Sequence, residues 1–157
     1  MFNMPITMQP PATIHATGLL VGHRGILVRG PSGSGKSQLA LALLQSAGFT
    51  RLVGDDRIQL EAVHGRLLMR AVPVLQGLIE IRGLGLRQLP FEPVAVAHLV
   101  VDLAADDAAR LPEPESTSLA IEGIPLARLP VAPGQDALPA LLGFLRYGDP
   151  RRSLPAA

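Results

Sequence analysis

Residues 30–37 read Gly30-Pro31-Ser32-Gly33-Ser34-Gly35-Lys36-Ser37, a complete GxxxxGKS run. It stands between an apolar, strand-like segment, Ile26-Leu27-Val28, and a helix-like one over residues 38–46. Strand, glycine-rich loop and helix in that order are the context of a phosphate-binding loop, so the run constrains the chain to an α/β unit. Several backbone N–H groups can turn onto one phosphate only where the chain adopts positive φ, which glycine does at little steric cost. Lys36 adds a point charge for β- and γ-phosphates, and Ser37 a hydroxyl for Mg²⁺. A glycine-rich turn that merely enters a helix is the plainer alternative. The full motif in its full context instead points to a nucleotide or another polyphosphate, with Gly30, Ser32, Gly33, Ser34, Gly35, Lys36 and Ser37 as the binding residues.

At 157 residues and 48% hydrophobic content, the chain can bury one sizeable core. The expected organisation is an irregular lead-in over residues 1–12, punctuated by three prolines, a single domain over 13–148, and a flexible tail over 149–157. A net charge of +1, from 14 Lys plus Arg against 13 Asp plus Glu, gives no footprint for nucleic acid or an anionic membrane. Arg151 and Arg152 are a short tail charge. No stretch approaches the ~20 apolar residues of a membrane span, and the N-terminus has no basic segment ahead of an apolar one. The absence of cysteine removes disulfides, thiolate metal sites and thiol nucleophiles, and fits a reducing, cytoplasmic location.

Periodicity supplies a coarse map. Leu19-Leu20-Val21 and Ile26 to Arg29 read as two strands joined by a turn over Gly22-His23-Arg24-Gly25. Residues 37–47 read as a buried helix, with Gly48 a suitable C′ residue. Leu52-Val53 is a strand ending at Asp55-Asp56, and Ile58, Leu60 and residues 66–70 suggest a hairpin about His64-Gly65. Residues 78–82 form a further strand running into Gly83-Leu84-Gly85, and residues 98–103 a strand buried on both faces. Residues 104–117 read as a loop, 124–129 as a strand, and 137–147 as a closing amphipathic helix with Pro139 in its first turn. His23 and His64 fall in turns and read as solvated; His98 reads as a satisfied core residue rather than a ligand.

A phosphoryl-transfer site also needs groups that hold a metal and that orient or deprotonate the acceptor. Asp55 and Asp56 follow Lys36 by nineteen and twenty residues, room for a helix, a turn and a returning strand whose end lies beside the loop. Adjacent carboxylates on a strand face opposite ways, one toward Mg²⁺ and one toward the acceptor; a solvated Asp-Asp turn is the alternative. Glu80 is a third candidate, or else part of an ordinary half-exposed strand in which it pairs with Arg82.

The ordered segments Ile14-His15-Ala16-Thr17-Gly18, Gly30 to Ser37, Leu52 to Asp56, and Leu78-Ile79-Glu80-Ile81-Arg82-Gly83-Leu84-Gly85-Leu86 together resemble the catalytic domain of HPr kinase/phosphorylase, the bacterial enzyme that phosphorylates a serine of the phosphocarrier HPr. The resemblance covers residues 13–103 well and the rest loosely. It implies a P-loop kinase domain of the HPr kinase/PEP carboxykinase type, an α/β fold with a central mixed sheet and flanking helices. It further implies ATP as donor, Mg²⁺ as cofactor, HPr or a paralogous phosphocarrier as partner, and a homo-oligomer. Asp55 would take the serine proton, Ser37, Asp56 and Glu80 would surround the metal, Lys36 and Arg82 would act in the site, and His15 would sit at its edge. The chain looks like the short form, consisting of the C-terminal catalytic domain alone.

The departures from that family bear on activity. Gln38 stands where an acidic residue is common, and the family's PVRPGRN segment reads Pro130-Val131-Ala132-Pro133-Gly134-Gln135-Asp136, with both arginines replaced. Loss of two guanidinium forks weakens phosphorolysis more than ATP binding. The expected function is therefore a protein serine kinase with weak phosphorolysis. The competing readings are a nucleotide-sensing regulatory module and a small-molecule kinase.

Overall fold

The computed structural model describes residues 11–46 and 48–148. Most of the expected lead-in, Ala47 and the tail with Arg151 and Arg152 lie outside the described residues. Along the chain run β1 (Ala12–His15), β2 (Thr17–Val21), β3 (Arg24–Arg29), α1 (Lys36–Ser46), β4 (Thr50–Gly54), β5 (Arg57–Val63), β6 (Arg66–Ala71), β7 (Leu78–Ile81), β8 (Gly85–Gln88), β9 (Ala95–Asp102), β10 (Ser118–Ile121), β11 (Ile124–Pro130) and α2 (Leu138–Tyr147). Nine of the strands join in the order β1-β5-β6-β9-β3-β2-β4, with β11 and then β10 branching from β9. The hairpin β7-β8 forms a separate two-stranded sheet.

The sheet is mixed. β3, β9 and β11 are parallel to one another, and the other pairs are antiparallel. Alternation along β3 and β9 explains why residues 26–28 and 99–101 are apolar on both faces. Ile26, Val28, Leu99 and Val101 pack on one face with Leu39, Ala40 and Leu43 of α1 and Leu141 of α2. Leu27 and Val100 point the other way, onto Ile58 and Leu60 of β5 and Leu67 and Met69 of β6. Helices therefore cover one face, and strands rather than helices cover the other. β9 itself forks: Val96 and Ala95 pair with β6, whereas residues 99–102 pair with β11.

Several boundaries differ from the sequence expectations for physical reasons. Ala12 already belongs to a strand, because β1 has β5 as a partner, with Ala12 opposite Leu60 and His15 opposite Arg57. The first hairpin turns on Gly22-His23 alone, so β3 begins at Arg24. β9 starts three residues earlier than expected, and β10 adds a strand before β11 that pairing supplies and periodicity did not. His98 is not a core residue. It is exposed on β9, where its Nδ1 lies 2.9 Å from the Val96 carbonyl.

β3 enters the sheet very close to β9. A Cβ on Gly25 would run into the Val96 carbonyl oxygen, a backbone atom that cannot move aside. Gly25→Ala is thus expected to destabilise the fold by about 2–3 kcal/mol, seen as a lower urea midpoint. Gly143→Ala, in α2 with open space around the added methyl, should instead raise the midpoint, by about 0.5–1 kcal/mol.

Candidate functional site

The loop between β3 and α1 is held by glycine geometry and by its own lysine. Gly33 and Gly35 have φ of 81° and 98°, and the Ser34 N–H donates to the Pro31 carbonyl at 3.0 Å. Lys36 Nζ donates to the carbonyls of Gly30 at 2.9 Å and Pro31 at 3.3 Å. Gly30 sits against Leu103 and the Ser34 hydroxyl, where a Cβ would come within 3.0 Å and 2.5 Å of them respectively.

β4 runs parallel to β3, separated from it by β2, so its tip falls on the edge of the sheet that carries the loop. Asp55 is buried there, at 7% exposure. Ser37 Oγ lies 2.9 Å from both Asp55 carboxylate oxygens, and the fully buried Thr17 hydroxyl donates to Oδ1 at 2.7 Å. Asp56 takes a different course. β4 ends at Gly54, so strand alternation does not separate the two aspartates; a bend with Asp56 at φ 69° turns its side chain outward. There it is exposed and lies 3.7 Å from His15 Nδ1.

Lys36, Ser37, Asp55 and Asp56 line a cavity of about 570 Å³ together with Glu80, Arg82 and Gln38. Glu80 and Arg82 do not pair with each other: Glu80 is an exposed residue of β7, and Arg82 lies beyond that strand in the turn toward β8. The hairpin forms one wall through Leu78, Ile81 and Leu86, facing Leu41 of α1. Thr17 had no assigned role in the sequence reading. Its signal was a hydroxyl at the head of an otherwise apolar strand.

Among the described residues, no group of three or more His, Asp or Glu side chains converges to cage a metal ion. The Ser37 hydroxyl beside a carboxylate still fits Mg²⁺, which keeps several waters and takes one or two carboxylates together with phosphate oxygens. The donor chemistry present at the loop therefore suits that ion.

Beneath the loop, Asp102 at the end of β9 accepts from Arg29 Nε and Nη2, both at 2.8 Å, and from Arg128 Nε at 2.6 Å. Arg128 reaches on to Asp107 at 2.8 and 3.0 Å. Burial alone would raise the Asp102 pKa, but hydrogen bonds and charge from Arg29 and Arg128 outweigh it and leave the carboxyl below its ordinary value. A carboxyl depressed on folding stabilises the fold above its unfolded pKa of about 3.9 and loses that contribution as pH falls through the folded value. Asp102→Asn should therefore lower stability at pH 7 by on the order of 2 kcal/mol, less than the ~3–5 of a fully buried pair. It should also flatten the acid limb of a stability–pH curve below about pH 4, as read by urea unfolding.

A family model described as the HPr Serine kinase C-terminal domain matches residues 7–90. The HPr kinase/phosphorylase of Mycoplasma mycoides subsp. mycoides is 40% identical over 81 residues, covering 52% of this chain and 25% of that protein. The HPr kinase/phosphorylase of Xanthomonas campestris pv. campestris is 40% identical over 85 residues, covering 54% of this chain and 26% of that protein. The matched stretch thus spans about a quarter of the length of these curated relatives. Among solved structures, the Hpr(Ser) kinase/phosphatase from Coxiella burnetii superposes with a TM-score of 0.69 at 28% identity, covering 85% of this chain and 93% of that one.

Proposed function

The chain belongs to the family of the HPr Serine kinase C-terminal domain, and from that premise we propose that it transfers the γ-phosphoryl group of ATP to a serine of HPr or a paralogous phosphocarrier in the cytoplasm. The observation that carries this reading is the Ser37–Asp55 hydrogen bond at the mouth of a complete phosphate loop, in the cavity that also holds Lys36, Glu80 and Arg82. The loop N–H groups and Lys36 hold and neutralise the phosphates. Asp55 accepts the proton of the incoming serine, its orientation fixed by the Thr17 and Ser37 hydroxyls. Ser37, with Asp56 and Glu80 on the cavity wall, would hold a Mg²⁺ ion, which would supply positive charge against the phosphates. Arg82 faces the phosphoryl group from the hairpin side, and His15 flanks Asp56.

One observation favours a second assignment of roles. Asp55, rather than Asp56, is the carboxylate in contact with Ser37, a position from which it would serve the ion while Asp56 serves the acceptor.

Incubation with γ-labelled ATP, Mg²⁺ and HPr is expected to label a serine of HPr. Bound ATP with no labelled serine would favour the regulatory-module reading. The reverse reaction, inorganic phosphate attacking phosphoserine-HPr to release pyrophosphate, should be slower by about tenfold or more, since two polyanions must meet and fixed cations must offset their repulsion. Arg128 does not replace the missing arginines, because Asp102 and Asp107 already occupy it. Equal forward and reverse rates would overturn this part of the reading.

A further inference from the structure

A separate cavity, of about 590 Å³, opens at the end of the sheet opposite the phosphate loop. The pairing of β9 explains it. Along one edge of β9, β6 pairs antiparallel, Leu68 with Val96 and Met69 with Ala95, and β11 pairs parallel from Ala127 with Leu99 onward. Among the described residues, none pairs with Ala97 or His98 on that edge, so β6 and β11 part there and leave a hollow between them. Carrying the β6 register two residues further would set Arg66 opposite His98. β3 and β9 both run from this end of the sheet to the phosphate loop, roughly 15–20 Å away.

The hollow has an apolar floor and a basic rim. Leu67, Ala97 and Leu126 are buried at the floor. Arg66, His23 and His98 are exposed at the rim, and no described Asp or Glu lines the cavity. Arg29, Arg51, Arg70 and Arg128 each have a carboxylate partner, whereas Arg66 has neither ion pair nor hydrogen bond among the described residues. His98 Nδ1 is engaged with the backbone, 2.9 Å from the Val96 carbonyl oxygen and 3.4 Å from the Gly25 nitrogen, so Nε2 is the ring nitrogen left for a ligand. The His23 ring stands edge-on to it, with centroids 6.3 Å apart. An unpaired guanidinium above an apolar floor is matched by a planar carboxylate on an apolar body: the fork takes both oxygens and the body covers the floor. A phosphate dianion would find a single fixed cation there and no use for the floor. A divalent metal would meet the Arg66 charge and at most two imidazoles.

We propose that this hollow binds a small organic acid, its carboxylate on Arg66, its apolar body on Leu67, Ala97 and Leu126, and the two imidazoles flanking it. Its lining and that of the catalytic cavity have no described residue in common. The proposal stands or falls independently of phosphoryl transfer to HPr.

The probe is phenylacetate, with phenylacetamide, the same body without the charge, as its control. In amide NMR spectra of the unsubstituted protein, the acid should shift signals within residues 65–67, 95–98 and 124–126 and leave those of 32–37 in place. It should bind at least about tenfold tighter than the amide, a preference that Arg66→Gln removes and Arg66→Lys keeps in part. Arg66 is exposed at the start of β6, so both variants should keep the fold, seen as unchanged signals elsewhere in the spectrum. Equal binding of acid and amide would reduce the hollow to an apolar crevice and overturn the proposal. Shifts confined to the phosphate loop, or no shift at millimolar acid, would overturn it without any variant. Inorganic phosphate acting on the same signals as strongly as the acid would overturn the carboxylate assignment, and Zn²⁺ alone moving the His23 and His98 signals where the acid does not would give the imidazoles to a metal instead.

Discussion

Lys36→Ala is expected to lower phosphoryl transfer to HPr by on the order of 10³-fold and to weaken ATP by roughly ten- to a hundredfold. Lys36 is the only lysine in the chain; its ammonium now rests on the Gly30 and Pro31 carbonyls. A short swing from those carbonyls would bring it to the β- and γ-oxygens. The loop N–H dipoles survive the substitution, so some affinity remains, while a full positive charge at the transferring group is lost. Lys36→Arg should not rescue the rate, since a planar fork cannot occupy the position of a compact ammonium. The melting temperature should move little, because the Pro31 carbonyl is exposed and the Gly30 carbonyl only half-buried, so water can replace Nζ at both. Unchanged transfer in Lys36→Ala would show that the chemistry lies elsewhere.

Asp55→Asn should cost at least ~10²-fold in rate while Mg·ATP affinity is retained, the pattern of a lost proton acceptor. Asp56→Asn should instead raise the Mg²⁺ concentration needed for half-maximal activity. Calorimetry and Mg²⁺ titration giving the reverse pattern would exchange the two roles, in line with the Ser37–Asp55 contact. No effect from either change would return the pair to a solvated turn. Thr17→Val is a companion test: it deletes a buried hydroxyl with little change of shape, so Asp55 loses a donor at 2.7 Å and the transfer rate should fall. Thr17→Ser should restore it.

The loop, its helix and the 64–65 hairpin were legible in the sequence because each is set by local chemistry: glycine torsions, an apolar helical run, and a two-residue turn between alternating strands. β1, β8 and β10 were not legible. Each is four residues long, too short for alternation to register, and each exists because a partner strand supplies its hydrogen bonds. His98 misled for a related reason. An apolar run suggested burial of every member, but β9 forks near this residue, which leaves the histidine exposed. Asp55, Ser37 and Glu80 line one cavity; for Glu80 the segment alone read as an ordinary half-exposed strand, and only the family resemblance implied a place in the site. The left-handed bend that leaves Asp56 exposed at the cavity wall, and the Thr17 hydroxyl bonded to Asp55, depend on backbone path and cross-strand packing that no single segment encodes.

The pairing of β3 with β9 also bears on how the protein is made. The eight residues of the phosphate loop are contiguous, yet what braces them arrives late. Arg29, the last residue before the loop, is tied to Asp102 across 73 positions, its carbonyl accepts from the Leu103 N–H at 2.8 Å, and Gly30 rests on the Leu103 side chain. On the ribosome, a nascent chain that has already extruded the whole motif still lacks the strand it leans on. At ~5–20 residues per second, several seconds separate emergence of the loop from emergence of β9. During that interval Ile26, Leu27 and Val28, all fully buried in the finished fold, have no parallel neighbour. Bracing of the loop therefore comes late in synthesis, after β9 has emerged.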